Sequence, residues 1–556
     1  MKINSNVKQF NNNITPANRN LRQKTPNFTG AMEVLRFLDT NQAWGANAVD
    51  FFCMVLPRTL TDFTRGPEAG LETARRESMG TINDSSVGLY GTLAGMALAT
   101  TINRFYGFGK NDVKAGSIFA DSETLEMMGK VWTNKLHQAQ NNPNTNTLRE
   151  FLKETIKNYE GLSPDNNGQW IRIKNPETIE KVTDILEKEI KQDGENLSKN
   201  ALHEAKSLIM SETGIENNFR IIAEEGAKNH TSRYNLDSIL ENTYKLSKVF
   251  NKDKVKEVFI NTANTSENAF IKTMKSMNRN RSILGVAIAT LVGCSTQPIN
   301  MWLTKRKSGQ EGFVGGGEQD KSFKFKLEKL AVAALFGAGV LATIGNPKNL
   351  LKNLQFKGKT PTINQLKFIY GATIMSRFLV ARNENELKEA SIKDILGFTN
   401  WLILGNFVQK LVVQTMDKSG TLIKKDTLKG NKILNWIQNS FIKTRDEVLH
   451  EALGKNAFKE NGKAMKFGEM LKAISNNKEA KSKIRILTIA QIAGYLYSGL
   501  VLGYGIPKLN IFLTKRRMAK QKNSGNIQLN QGGMLNPANR EFLNQKNFTG
   551  NNIFTK

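Results

Sequence analysis

Acidic residues, cysteine, histidine and proline are all scarce in this chain. Fifty acids stand against 79 lysines and arginines in 556 residues, a formal charge of +29. Two cysteines, Cys53 and Cys294, exclude a disulfide framework in a chain this long. Four histidines, His137, His203, His230 and His450, leave little for a metal site. A zincin helix needs two histidines four residues apart with a glutamate between them. Leu202-His203-Glu204-Ala205 and Leu449-His450-Glu451-Ala452 each lack the second one. A pair assembled across duplicated halves is the metal alternative, and helix-surface or core-edge roles are the simpler reading. No nucleophile-bearing signature is present, and GxxxxGK[ST] is missing. The Gly312–Gly317 run and Phe356-Lys357-Gly358-Lys359-Thr360 therefore read as loops. The residues point to no cofactor and to no catalytic group. Hairpin dipeptides between β-branched runs are also missing, so an all-α chain is expected. The N-terminus has no apolar h-region of a cleavable signal, so any membrane insertion must use internal segments.

What is present is unevenly placed. Residues 1–30 carry five basic residues and no acid, and 508–556 carry nine and one. Residues 305–367 carry twelve against four, and 410–485 seventeen against eight, while 104–281 are nearly balanced at 27 to 25. Basicity thus gathers in the tails and beside apolar stretches. That placement suits anionic lipid, where each Lys or Arg at the surface contributes ~1 kcal/mol. No compact basic domain with interleaved aromatics favours nucleic acid.

Five stretches have little charge: 85–103, 282–304, 330–347, 395–416 and 486–507. A spanning helix needs roughly 17–25 mostly apolar residues, and 330–346 and 486–506 meet that best. Shorter stretches at 43–57 and 366–381 offer a sixth pass. Lys410 and Arg377 are the candidate intramembrane ionisable residues, each near enough to an end to snorkel. Gly91/Gly95, Gly499/Gly503, Ala289/Gly293 and Ala333/Gly337 form small faces for close helix approach, including self-association. The mixed charges of 65–77 read as one short helix, with Pro67 at its start and Arg75 and Arg76 at its end.

Two internal echoes stand out. Residues 298–306 read PINMWLTKR and 507–516 read PKLNIFLTKR, after stretches preceded by Arg281 and Arg485. Proline ends or kinks such a helix. Trp302, Lys305 and Arg306, and their counterparts Phe512, Lys515 and Arg516, are expected as interface anchors. An ancient duplication explains the echo. The second echo joins the tails. Pro16-Ala17-Asn18-Arg19, Gln23-Lys24 and Asn27-Phe28-Thr29-Gly30 recur as Pro537-Ala538-Asn539-Arg540, Gln545-Lys546 and Asn547-Phe548-Thr549-Gly550. This motif reads as a docking element for a protein partner, with Phe28 and Phe548 as anchors. If one partner grips both copies, both ends share a compartment, and an even number of crossings is expected. Their basic charge favours the cytoplasm.

The expected organisation is a disordered tail (1–29), a first helical region (30–110) and a polar helical domain (111–280). An apolar region (281–416), a polar block (417–484), a final apolar helix (485–514) and a disordered tail (515–556) follow. The function expected is that of a non-enzymatic, multi-pass membrane scaffold or anchor. A transporter or channel component built on a duplicated half is the alternative, and a soluble helical polyanion binder the third.

Overall fold

A computed structural model describes residues 29–523, apart from 41, 65, 143, 165–169, 193, 223–232, 263, 309–318, 346, 405, 425–435 and 437–440. The chain is overwhelmingly helical, as expected, with two small antiparallel sheets. One has the order β2-β1-β3-β4, from β1 (Tyr159–Pro164), β2 (Trp170–Arg172), β3 (Asn217–Ile221) and β4 (Tyr234–Asn235). The other pairs β5 (Ile423–Lys424) with β6 (Phe441–Ile442).

Seven helical arms are described, packed side by side. The first covers 42–63 and the second is Pro67–Phe105. The third is Ala269–Ser308, the fourth Phe323–Ile344 and the fifth Ile363–Leu379. The sixth combines Glu384–Phe398, Thr399–Ile403 and Phe407–Met416, and the seventh covers 478–523. Successive arms run in opposite directions. Asn47 meets Ser85 and Asp62 meets Thr73, which makes the first and second arms antiparallel. Asn83 bonds the Ala289 carbonyl and Asn300 that of Glu72, so the second and third are antiparallel too. Lys367 reaches Thr343 and Lys329 reaches Ala381 across the fourth and fifth. Arg377 meets Asp394 while Tyr370 packs on Trp401, which fixes the fifth against the sixth. Tyr497 meets Asn400 and Asn510 the Glu389 carbonyl, which fixes the sixth against the seventh.

Both polar blocks sit at one end of this bundle. The first, 106–268, joins the second and third arms; the second, 417–477, joins the sixth and seventh. Each LTKR helix is therefore the return arm of a hairpin with a polar block at its tip. This shared plan is what the two echoed phrases have in common structurally. The first block closes over Trp132, Phe151, Phe250, Phe259 and Phe270, whose rings meet edge to face or tilted. Its helices other than Asp253–Ile260 start on side-chain caps, at Asp121, Asn146, Asn175, Ser198 and Asn235. The helix Thr29–Thr40 docks at the same end: Arg36 Nε donates to Asp446 at 2.7 Å, and Arg445 pairs with Asp39. Residue 523 lies at the opposite end, beyond the contact of Asn510 with Glu389.

Three expectations change. The charged run 65–77 does not close a short helix; the helix from Pro67 continues for 39 residues. Pro298 does not end its helix, which spans 40 residues. Pro507 likewise lies inside a continuous arm, just after a π-helical turn at Gly499–Gly505. Pro57 follows another π turn, Asp50–Val55, and Pro sits at the second position of the helix it enters. A π turn widens the spacing of backbone bonds, so the missing proline N–H and the ring are accommodated there.

The small-residue faces are used within the chain except at Gly499, where an added Cβ meets nothing within 4 Å. A Cβ on Gly285 would lie 3.0 Å from the Gly91 Cα, and one on Gly503 would lie 2.5 Å from the Cys53 carbonyl oxygen. Gly293 faces Thr373, and Gly337 faces Met375.

Candidate functional site

The middle of the bundle is ionic. Glu77, on the second arm, collects three cations: Arg58 Nη1 at 3.4 Å, Arg76 Nη2 at 3.0 Å and Lys393 Nζ at 3.0 Å. These come from the first, second and sixth arms. Arg58 Nε also donates to the Leu502 carbonyl of the seventh at 3.2 Å. Arg377, on the fifth, donates to Asp394 at 3.2 Å. Thr73 Oγ1 donates to Asp62 at 2.6 Å, and Thr81 donates to Asp50. Arg58, Arg76, Glu77, Asp50, Asp62, Asp84, Arg377 and Asp394 are all buried. Burying ions is costly unless they are paired and hydrogen-bonded, and the network meets most of that demand. Asp84 Oδ2 and Asn47 Oδ1 are buried without a hydrogen-bond partner.

Arg377 lies in the last turn of its arm, as expected, but its guanidinium is buried on Asp394 and does not reach out to water as snorkelling would need. Lys410 is also buried, with its ammonium donating to the Trp436 carbonyl at 3.0 Å. Arg281 fixes the third arm to the first block. It donates to the Ile118 carbonyl at 2.6 Å and to that of Gly116 at 2.9 Å, and it covers the Phe119 ring.

A second ionic cluster joins the two polar blocks. Thr444 Oγ1 donates to Glu216 at 2.7 Å, Lys206 Nζ pairs with Glu216 at 2.6 Å, and the Glu216 N–H donates to Glu447 at 2.7 Å. Burial pushes the Glu216 carboxyl up, but Lys206, Thr444 and Arg36 outweigh it and hold it below its ordinary value. His450 Nδ1 donates to the Asp446 carbonyl at 2.8 Å, and burial lowers its imidazole below the ordinary value. His203 instead meets the Met465 carbonyl of the second block at 3.1 Å, whereas the His450 bond stays within its own helix, Arg445–Leu453, so the two histidines have separate partners. Among the described residues, no group of three or more His, Cys, Asp or Glu is placed to hold a metal ion.

The outer surface of the arms is the reverse of their interior. Leu335 is 76% exposed, Leu291 70% and Leu500 67%. Among the described residues, the outward-facing large apolar side chains lie on the seven arms, apart from Val34, Phe37, Ile260 and Leu351. Three helical stretches, Ala269–Arg306, Phe323–Ile344 and Lys478–Leu513, are long and apolar enough to cross a membrane.

The anchor residues sit at the end opposite the polar blocks. Trp302 is exposed with the Arg306 guanidinium 5.5 Å from its ring centre, and Lys305 is exposed beside it. Phe512 and Arg516 are exposed on the seventh arm, which also carries Lys515. Of the repeated motif, only Thr29 and Gly30 fall in the structure, at the start of the first helix. Pro16, Asn18, Arg19, Phe28, Pro537, Asn539, Arg540, Phe548 and Gly550 lie outside the described residues. Sequence reasoning missed Asp50, Arg58, Glu77, Asp84, Lys393 and Asp394. The available signal was the spacing of Thr73, Glu77, Thr81 and Asp84, which share one helix face. No family model matches this chain, and no curated protein or solved structure does either.

Proposed function

We propose that the chain is a multi-pass membrane protein whose seven arms lie in the bilayer with both polar blocks on one side. One observation carries this: charged side chains are buried inside the arms while leucines and phenylalanines cover the outside. In water that surface is a large exposed apolar patch, which soluble monomers avoid. In lipid, intramembrane ions face the bundle interior and pair with each other. The second arm, at about 1.5 Å per residue, is nearly 60 Å long, so it spans a ~30 Å core and still reaches the first block. Trp302, Lys305, Arg306, Phe512, Lys515 and Arg516 would meet anionic headgroups at the far interface.

In this reading the protein is a scaffold that presents docking tails. Seven crossings set the N-terminal tail at the block end and the C-terminal tail at the other. That takes the place of the even count expected from the matching motifs, and of two cytoplasmic ends. Each motif copy then engages a partner in its own compartment, through Phe28 on one side and Phe548 on the other. The ionic centre favours a second reading, a transporter or channel component, because buried charge in a bundle marks ion pathways.

Alkaline carbonate extraction of membranes tests the first step. Retention in the pellet is expected; release into the supernatant refutes the membrane reading and returns the soluble polyanion binder. Protease treatment of sealed vesicles with an epitope tag at each terminus tests the count. One tag cleaved and one protected is expected, and equal cleavage of both refutes seven crossings.

A further inference from the structure

We propose that Asp50, Asp84 and Asn47 form a binding site for one sodium-type alkali cation between the first and second arms. Asn47 and Asp50 are three residues apart and share a face of the first arm. Thr81, Asp84 and Ser85 share the facing side of the second. Two cross-arm hydrogen bonds bracket the site: Asn47 Nδ2 donates to Ser85 Oγ at 3.2 Å, and Thr81 donates to Asp50. Asp84 lies between them on the second arm. It is 2% exposed with Oδ2 unpartnered, and Asn47 is 6% exposed with Oδ1 unpartnered. Asp50 is near enough to repel the Asp84 carboxylate. Two neighbouring carboxylates and an unmatched amide oxygen gather acceptors between the two arms in the protein interior.

Arg377 is a cation that attracts both Asp50 and Asp84, and its Nη1 is given to Asp394 at 3.2 Å. Carboxylate, amide and hydroxyl oxygens are hard ligands for a hard cation. With no third carboxylate or histidine in the set, a single charge fits better than Ca²⁺ or Mg²⁺.

The site is tested apart from the membrane reading, on full-length protein purified in detergent micelles at pH 8. Sodium chloride replaces choline chloride at constant ionic strength while the thermal midpoint is followed. A saturable rise of at least ~3 °C is expected, smaller with potassium. Equilibrium binding of radioactive sodium should reach one ion per chain. Asp84→Asn should abolish both signals. Asn47→Ser keeps the charges and, as the milder variant, should weaken half-saturation about tenfold. Absence of a sodium-specific rise in the folded wild type overturns the site. So does an undiminished response in Asp84→Asn or in Asn47→Ser, whichever folds. Equal stabilisation by acid with no added effect of sodium also overturns it, since a shared proton then fills the role. A chain that binds sodium yet is washed off by carbonate refutes the membrane reading alone.

Discussion

Replacing Glu77 by Gln removes the anion shared by Arg58, Arg76 and Lys393 without changing the shape of the side chain. The three donors lie at 3.4, 3.0 and 3.0 Å, and the glutamate is buried. An amide oxygen still accepts a hydrogen bond, but it offers no charge to three clustered cations. Breaking a buried pair from one side leaves uncompensated charge and costs about 3–5 kcal/mol. Against a total stability of roughly 5–15 kcal/mol, that is enough to deplete the folded protein at 37 °C. The assay is unfolding of the micelle-solubilised chain, by heat and by SDS titration. Glu451→Gln is the control, since Glu451 pairs with Lys443 at 2.7 Å on the surface and should change stability by no more than about 1 kcal/mol. Adding Lys393→Met to Glu77→Gln removes one of the orphaned cations. The double variant should therefore recover part of the loss, a coupling of at least ~1 kcal/mol. A Glu77→Gln chain within about 1 kcal/mol of wild type, with no recovery in the double variant, refutes the claim that Glu77 holds Arg58, Arg76 and Lys393 together as a paired network.

Two glycines on the second arm should answer in opposite directions. A Cβ on Gly80 meets nothing within 4 Å, so Gly80→Ala should stabilise by about 0.5–1 kcal/mol, read as a higher thermal midpoint. A Cβ on Gly88 would lie 2.0 Å from the Lys359 carbonyl oxygen, so Gly88→Ala should destabilise by about 1–3 kcal/mol or more in the same measurement. The junction of the blocks should weaken in mild acid. His450 is held below its ordinary value by burial, facing Asp446, Glu216 and Lys206. The unfolded chain then binds the proton first, so stability is full above about pH 6.5 and falls as pH drops through the lower folded value. Thermal midpoints at pH 7.5 and 5.5 should differ in wild type and differ less in His450→Gln; an equal difference in both refutes the assignment.

The arms that could be seen in the sequence were those whose charge is low all round. The stretches at 282–304, 330–347 and 486–507 overlap the three helices apolar enough to cross a membrane. The sixth arm was read in part as 395–416, the first and fifth only as the short stretches 43–57 and 366–381, and the outer half of the second was hidden by its own chemistry. Asp50, Arg58 and Asp62 lower the hydropathy of 42–63, and Glu72, Arg76, Glu77 and Asp84 lower that of 67–84. The period was there to read: Thr73, Glu77, Thr81 and Asp84 face the centre, while Leu71, Ile82, Leu89, Leu93 and Met96 face outward. What the period does not carry is its sign. The same stripe fits a soluble helix with polar residues out or a bundle with polar residues in. Only the partners decide between them, above all Lys393, which meets Glu77 across 316 positions of sequence. The cluster of Glu216 with Thr444 was unreadable for the same reason, because its contacts join blocks far apart in the chain.

The duplicated phrases gain a physical meaning from this inversion. A return arm that ends in Leu-Thr-Lys-Arg leaves its polar block, passes the ionic centre and emerges at the far end of the bundle. Both return arms need a stop at that end and carry one, with Trp302 and Phe512 exposed next to basic residues. Their outgoing partners instead carry much of the inner charge, Glu77 and Asp84 on the second arm and Lys393 and Asp394 on the sixth. The two hairpins meet through those charges: Lys393 of one binds Glu77 of the other at 3.0 Å. The sixth arm places Lys393 opposite Glu77 of the second, and the first arm adds Arg58 to the same carboxylate. The ionic centre is therefore the joint between the two hairpins, and they cannot separate without exposing unpaired charge to whatever solvent surrounds the arms.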